Sequence, residues 1–220
     1  MTEAQYDRLM KLSTTNLSDA NDFYGIHGST YQINAIWAGS RKIAGEAVTV
    51  RLTAAGTTPP KTHLGIAAIE AAKKGDIIVV DNGGRLDVSC WGGVLATGAK
   101  QKGIAGVVID GACRDIDDYV ALDLPVYARG AVVATARGRV VEHSTNDVIQ
   151  FGGVQVCPGD VVMADLSGVV IVPAEMFDKV LEKAEQLYQK EEDMCRDILN
   201  GMSSLEVDHK YNYNKMLTGK

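Results

Sequence analysis

Arg114 and Asp115 stand side by side a short way past an apolar run, and the paired glycines Gly92-Gly93 lie upstream of that run. These residue types in this order suit the handling of a small organic acid. An arginine grips a carboxylate with two parallel N–H bonds, and an aspartate offers hard oxygen to magnesium or manganese. Free backbone N–H groups at a glycine-opened helix start attract an anion. A guanidinium, a carboxylate and a row of amides therefore converge if the intervening elements fold back on one another.

The elements that must do this are legible. Ile104 to Ile109 is short, β-branched and bounded by Gly103 and Asp110-Gly111, as a buried strand should be. Gly92-Gly93 opens a helix over Val94 to Lys102, and Arg114-Asp115 begins a second helix running toward Leu122. The same residues have plainer uses, since a Gly-Gly pair often only starts a helix and an Arg-Asp pair is often a solvated ion pair.

The chain has 220 residues, enough for one domain spanning 1–220, with 46% hydrophobic and 23% charged residues. Its 22 Lys plus Arg against 28 Asp plus Glu give a net charge of -6, which argues against a nucleic-acid partner. No apolar run is long enough to span a membrane, and the first residues lack a secretory layout, so a cytoplasmic protein is expected. Cys90, Cys113, Cys157 and Cys195 are widely spaced, which suggests neither a zinc site nor a disulfide framework. Cys113 touches the Arg-Asp segment, but neither sequence neighbour is a base to activate it.

Residues 3–12 carry helical spacing, and Ser18 is the expected cap of a second short helix ending near Gly25; His27 follows in a loop. Ala44 to Leu52 alternates as a half-buried strand, Gly56 to Pro60 breaks the pattern, and His63 to Lys74 reads as a helix stopped by Gly75. Ile77 to Val80 is another buried strand. It ends in Asp81-Asn82-Gly83-Gly84, a glycine turn expected to face the same cleft as Gly92-Gly93. Neither glycine segment has the spacing of a dinucleotide or phosphate loop. Leu124 to Ala128, Val148 to Val156, Asp160 to Ala164 and Val169 to Val172 supply closely spaced strands, so the α/β fold is expected to have two layers of sheet plus helices. A long amphipathic helix, the extension at about 173–200, closes the reading.

Several stretches occur together in order: Gly75-Asp76 through Val80-Asp81, Trp91 to Leu95, Gly106 to Asp115, Phe151-Gly152-Gly153-Val154, and Pro158-Gly159-Asp160 through Ala164-Asp165 to Gly168-Val169-Val170. In these the chain resembles the RraA-like family, which includes regulators of ribonuclease E activity. It also includes class II pyruvate aldolases acting on 4-hydroxy-4-methyl-2-oxoglutarate and 4-carboxy-4-hydroxy-2-oxoadipate. The resemblance implies a three-layer β/β/α fold of the swivelling-domain type, with N-terminal helices and a long C-terminal helix, assembled as a homotrimer or homohexamer. It implies that Arg114 contacts the 2-oxo acid, that Asp115 holds Mg2+ or Mn2+, and that Gly92, Gly93, Val94 and Leu95 bind the substrate carboxylate through their amides. It also implies a catalytic glutamate reaching across from a partner subunit, best matched by Glu191, with Glu192 as the neighbouring register.

Two residues decide how far the resemblance carries. Asp115 favours the metal-dependent branch, because the ribonuclease regulators lack that aspartate. Gly93 departs from the aldolases, which carry an acidic residue there, and Asp81 or Asp110 are the candidates to compensate. The expected activity is divalent-metal-dependent cleavage of a 2-oxo acid through a pyruvate enolate, by retro-aldol scission or oxaloacetate decarboxylation. The alternatives are a non-catalytic regulator that binds a partner, or a metal-dependent lyase or hydratase for another hydroxy acid.

Overall fold

The β-branched runs form the centre of a mixed sheet because they are apolar on both sides of the pleat and can be covered on both faces. A computed structural model describes residues 1–57 and 62–212. Of the expected break from Gly56 to Pro60, residues 58–60 lie outside the described residues. The strands are β1 (Asn34–Ala35), β2 (Ile43–Ala54), β3 (Ile77–Ser89), β4 (Gly106–Cys113), β5 (Val126–Ala131), β6 (Val140–Thr145), β7 (Ile149–Phe151), β8 (Val154–Val156), β9 (Val161–Asp165) and β10 (Gly168–Val172). The helices are α1 (Glu3–Leu9), α2 (Thr14–Phe23), α3 (Ile66–Ala71), α4 (Gly93–Lys102), α5 (Ile116–Leu122), α6 (Phe177–Leu199) and α7 (Ser204–Tyr211).

The main sheet runs β1-β5-β4-β3-β2-β9-β10, and β6 also pairs with β2. β2 to β5 are parallel neighbours in the order β2-β3-β4-β5. The first part of β2 pairs with β9 and its last part with β6, both antiparallel, so the sheet curls toward closure around this strand. Along β3 the alternation is strict. Ile78 and Val80 join Val107 and Ile109 in a core with residues of α3, α4 and α5. Ile77 and Val79 face the other way, onto Phe151, Val154 and Val156 of the β7–β8 hairpin. A third cluster packs α1, α2 and α6 on β9 and β10 through Leu9, Leu17, Met163, Val170 and Val180. These layers, with N-terminal helices and a long C-terminal helix, make the three-layer α/β swivelling-domain architecture. Among the described residues no helix is long and apolar enough to cross a membrane.

Three local expectations change. α2 starts at Thr14 rather than near Ser18, because Ser13 and Asn16 form a reciprocal capping box. Ser18 instead shares a hydrogen bond with Ser29. α3 is shorter than His63 to Lys74: Gly65 enters it in the left-handed region, and Asp76 accepts from the Lys73 amide beyond its end, fixing a turn there. The Asp81 to Gly84 segment continues β3 as an irregularity of register, with Gly83 and Gly84 at positive φ, so it is a bulge and not a strand-ending turn. The long C-terminal helix begins with one 3-10 turn, Ala174–Met176, just past Pro173.

Candidate active site

The carbonyl of Trp91 organises the site. It accepts from the Arg114 amide at 3.0 Å, from the Tyr119 hydroxyl at 3.0 Å and from the Ser89 hydroxyl at 3.1 Å. The Cys90 amide adds a bond to the Ala112 carbonyl, so the segment between β3 and α4 is sewn to the end of β4 and to α5. Trp91 and Tyr119 are both buried, which gives the junction a fixed floor.

On this floor the two chain segments meet. Gly92 is the N-cap of α4 in extended conformation, and the Gly93 amide donates to Asp115 Oδ2 at 2.9 Å. Arg114 Nε lies 3.4 Å from the same oxygen. Asp115 is the N-cap of α5 and sits in the left-handed region at φ 58°, ψ 46°. That conformation carries a cost of roughly 1–3 kcal/mol for a non-glycine residue, offset here by the bonds to Gly93 and Trp91 around it. The two glycines permit the approach. A Cβ on Gly92 would lie 2.6 Å from Asp115 Oδ2, and a Cβ on Gly93 would overlap the carboxylate of Asp118.

Gly92, Gly93, Val94, Leu95, Arg114 and Asp115 all line one cavity of about 90 Å³. Ser89, Cys90 and Trp91 also line it, and the rest comes from His63-Leu64 before α3 and from the Thr135 to Arg137 turn before β6. The first turn of α4 aims its amides without i−4 acceptors into this neighbourhood. His63 has its pKa lowered, first by partial burial and then by the positive charges of Arg137 and Arg114, so its imidazole is neutral near pH 7. Burial pushes the Cys113 thiol up to about 11, and it raises Cys90 as well, which leaves both as inert thiols at neutral pH.

Neither candidate compensating carboxylate reaches the cavity lining. Asp81 accepts from the Gly83 amide at 3.0 Å and faces Arg51 at 4.0 Å, and burial raises its pKa. Asp110 is buried, paired with Arg129, and accepts from the Gly152 amide at 2.8 Å, which ties β4 to the turn of the β7–β8 hairpin. Asp110→Ala should therefore cost stability, about 3–5 kcal/mol, because it strands a largely buried guanidinium. Equilibrium unfolding in denaturant measures this, and a loss below about 1 kcal/mol would contradict the structural role.

The carboxylate that sequence reasoning missed is Asp118. It stands three residues after Asp115, in the first turn of α5, and occupies the space a side chain at Gly93 would take. Among the described residues no group of three or more His, Cys, Asp or Glu is placed to hold a metal ion. Two carboxylates are nevertheless a donor set that magnesium or manganese accepts, since such ions keep several waters. The carboxylates of Asp115 and Asp118 both stand against the Gly92-Gly93 backbone, and these are the residues that could hold such a cation. Glu191 is not in this cavity: it lies on α6 and accepts from Asn16 of α2 at 2.8 Å, with its pKa raised by burial and by Asp19.

Fold and cavity together define a class, and comparison with known proteins gives the family. The chain belongs to the RraA-like family, described as Aldolase/RraA, which matches residues 14–171. It is 28% identical over 212 residues to Protein DlpA of Legionella pneumophila, covering 96% of this chain but only 34% of that protein. It is 30% identical over 210 residues to a protein of Halalkalibacterium halodurans provisionally named 4-hydroxy-4-methyl-2-oxoglutarate aldolase, covering 94% of this chain and 96% of the relative. The crystal structure of an uncharacterized protein from Pseudomonas syringae pv. tomato superimposes with a TM-score of 0.87 at 28% identity, covering 96% of this chain and 95% of that one. Family membership is consistent with an aldolase-type activity.

Proposed function

We propose that the chain is a divalent-metal-dependent carbon–carbon lyase that releases pyruvate from a 2-oxo acid. The observation that carries this reading is the convergence of Arg114, Asp115 and the α4 amides on one small cavity. The relative named as an aldolase supports the same reading. The substrates it favours are 4-hydroxy-4-methyl-2-oxoglutarate-type acids, with oxaloacetate decarboxylation as a second outlet through the same enolate.

In this reading the Val94 and Leu95 amides, with that of Gly92, hold the 1-carboxylate of the substrate, while the Gly93 amide stays on Asp115. Arg114 donates to the 2-oxo oxygen and stabilises the negative charge that gathers there as the bond beyond C3 breaks. Asp115 and Asp118 would hold Mg2+ or Mn2+, which would supply Lewis-acid stabilisation of negative charge at the site. The fixed Trp91 carbonyl keeps Arg114 and Asp115 in register, so little reorganisation is needed as charge develops. Glu191, which does not line this cavity in its own chain, is proposed to act from a neighbouring copy in a homotrimer or homohexamer.

The test is pyruvate release from 4-hydroxy-4-methyl-2-oxoglutarate and from oxaloacetate, with Mg2+, with Mn2+ and with chelator. Metal-dependent pyruvate is expected, abolished by chelator and restored by adding the cation back. A folded protein that releases no pyruvate from either acid under any of these conditions overturns the lyase reading.

A further inference from the structure

Retro-aldol cleavage needs a group that takes the proton of the C4 hydroxyl as the C3–C4 bond breaks, and the cavity residues that hold the pyruvyl end do not supply one. Arg114 is a cation with no lone pair to offer, and Asp115 already accepts from the Gly93 amide. Other lining groups are no better suited. The Arg137 guanidinium stays protonated, the Ser89 hydroxyl donates to the Trp91 carbonyl, and Thr135 Oγ1 accepts from the Arg137 amide. Cys90 is buried, which raises its thiol pKa and keeps it protonated. Among the described lining residues this leaves His63.

The chain holds His63 in place through its neighbours. Leu64 is buried in the core cluster that contains Trp91 and Leu95. The Gly65 backbone lies so close to Trp91 that a Cβ there would come within 2.8 Å of the ring, and the Gly65 amide donates to Glu142 at 2.7 Å, tying the segment to β6. His63 itself keeps solvent access. It also stands at a junction: a second cavity of about 420 Å³ adjoins the first, and His63, Leu64 and Arg137 line both.

We propose that His63 is the proton-transfer residue of the cleavage step, taking the C4 hydroxyl proton and returning it to C3. This rests on the lyase reading, with the 2-oxo acid end at Arg114 and the α4 amides and the C4 end extending past His63 toward the second cavity. The imidazole takes the hydroxyl proton, and the O–H electron pair forms the new C4 carbonyl. The C3–C4 pair becomes the C2–C3 double bond of the enolate, whose charge rests on the oxygen at Arg114. The imidazolium then gives its proton to C3, which completes the pyruvate methyl group and restores neutral His63. Nothing is oxidised or reduced. The positive charges of Arg114 and Arg137 disfavour the imidazolium, so His63 starts as the free base and releases its proton readily. The nearby acidic groups do not offset them, since Asp115 is engaged by Gly93, and Glu142 accepts from the Gly65 amide and the Thr145 hydroxyl.

Oxaloacetate supplies the comparison, because it has no C4 hydroxyl and its decarboxylation needs no proton acceptor. With the full chain in Mg2+, His63→Ala should lower kcat for 4-hydroxy-4-methyl-2-oxoglutarate cleavage by about 100- to 1,000-fold, with a loss in oxaloacetate decarboxylation at least about tenfold smaller. His63→Gln, which keeps a polar side chain without the basic nitrogen, should be impaired like His63→Ala. Added imidazole should restore part of the cleavage by His63→Ala. Equal losses in the two reactions would show a binding or supporting role and overturn the proposal. So would cleavage within about threefold of the parent, or a His63→Ala rate that imidazole leaves unchanged. A parent that decarboxylates oxaloacetate but leaves the hydroxy acid intact overturns the role of His63 while the lyase reading stands. A parent inactive on both acids overturns the lyase reading, and this step falls with it.

Discussion

Arg114→Ala is expected to lower kcat/KM for pyruvate release by about 100- to 1,000-fold, the loss typical of removing one donor from a developing oxyanion. The guanidinium is partly exposed, lies 3.4 Å from Asp115 and has its backbone fixed by Trp91, so the substitution removes the donor without disturbing its support. Global stability should change by no more than about 0.5 kcal/mol, as for other solvent-accessible ion pairs. Metal affinity should be held or slightly improved, because a positive charge leaves the neighbourhood of the Asp115 carboxylate. Arg114→Lys should recover only part of the activity, since an ammonium cannot make the paired, planar contact. Steady-state kinetics alongside a Mn2+ titration checks all of this. A variant within about threefold of the parent in kcat/KM would remove Arg114 from the chemistry.

Asp118→Ala should weaken Mg2+ or Mn2+ binding by about 10- to 100-fold, the usual effect of losing a carboxylate from the surroundings of a bound cation. The informative partner is Gly93→Asp. Alone it forces two carboxylates into one volume, because a Cβ at 93 overlaps Asp118, and both repulsion and crowding should impair binding. Combined as Gly93→Asp with Asp118→Ala, the carboxylate count is restored from the other chain segment, and affinity should return to within about tenfold of the parent. Mn2+ binding followed by electron paramagnetic resonance reads this directly, without substrate. Asp118→Ala with unchanged affinity, or a folded double variant no better than Gly93→Asp alone, would show that Asp118 does not stand in for an acidic residue at 93.

Much of this arrangement was legible in the sequence because it is written locally. β-Branched runs bounded by glycine and Asp-Gly became β3 and β4, the glycine pair opened α4, and Asp115 became the cap of α5. Strand, turn and cap preferences depend on a few adjacent residues, so the positions of Gly92 to Leu95 and of Arg114-Asp115 at element ends followed. Errors arose where two local signals competed. Ser18 and Ser13 are both plausible caps, and only Ser13 is followed by the Asn16 that completes the box.

What only the tertiary structure decided is which side chains those positions meet. Asp110 is spoken for by Arg129 and by the Gly152 amide, brought to it by strand order and by the hairpin laid across the sheet, and nothing near Asp110 in sequence announces either. Asp118 fills the space beside Gly93 because α4 and α5 follow adjacent parallel strands. His63 and Arg137 reach the cavity from segments far apart in the chain. Backbone preference is a short-range property and can be read residue by residue. Electrostatic partnership is set by the path of the chain in space, and it is that path which gathers two arginines and two carboxylates around one pair of glycines.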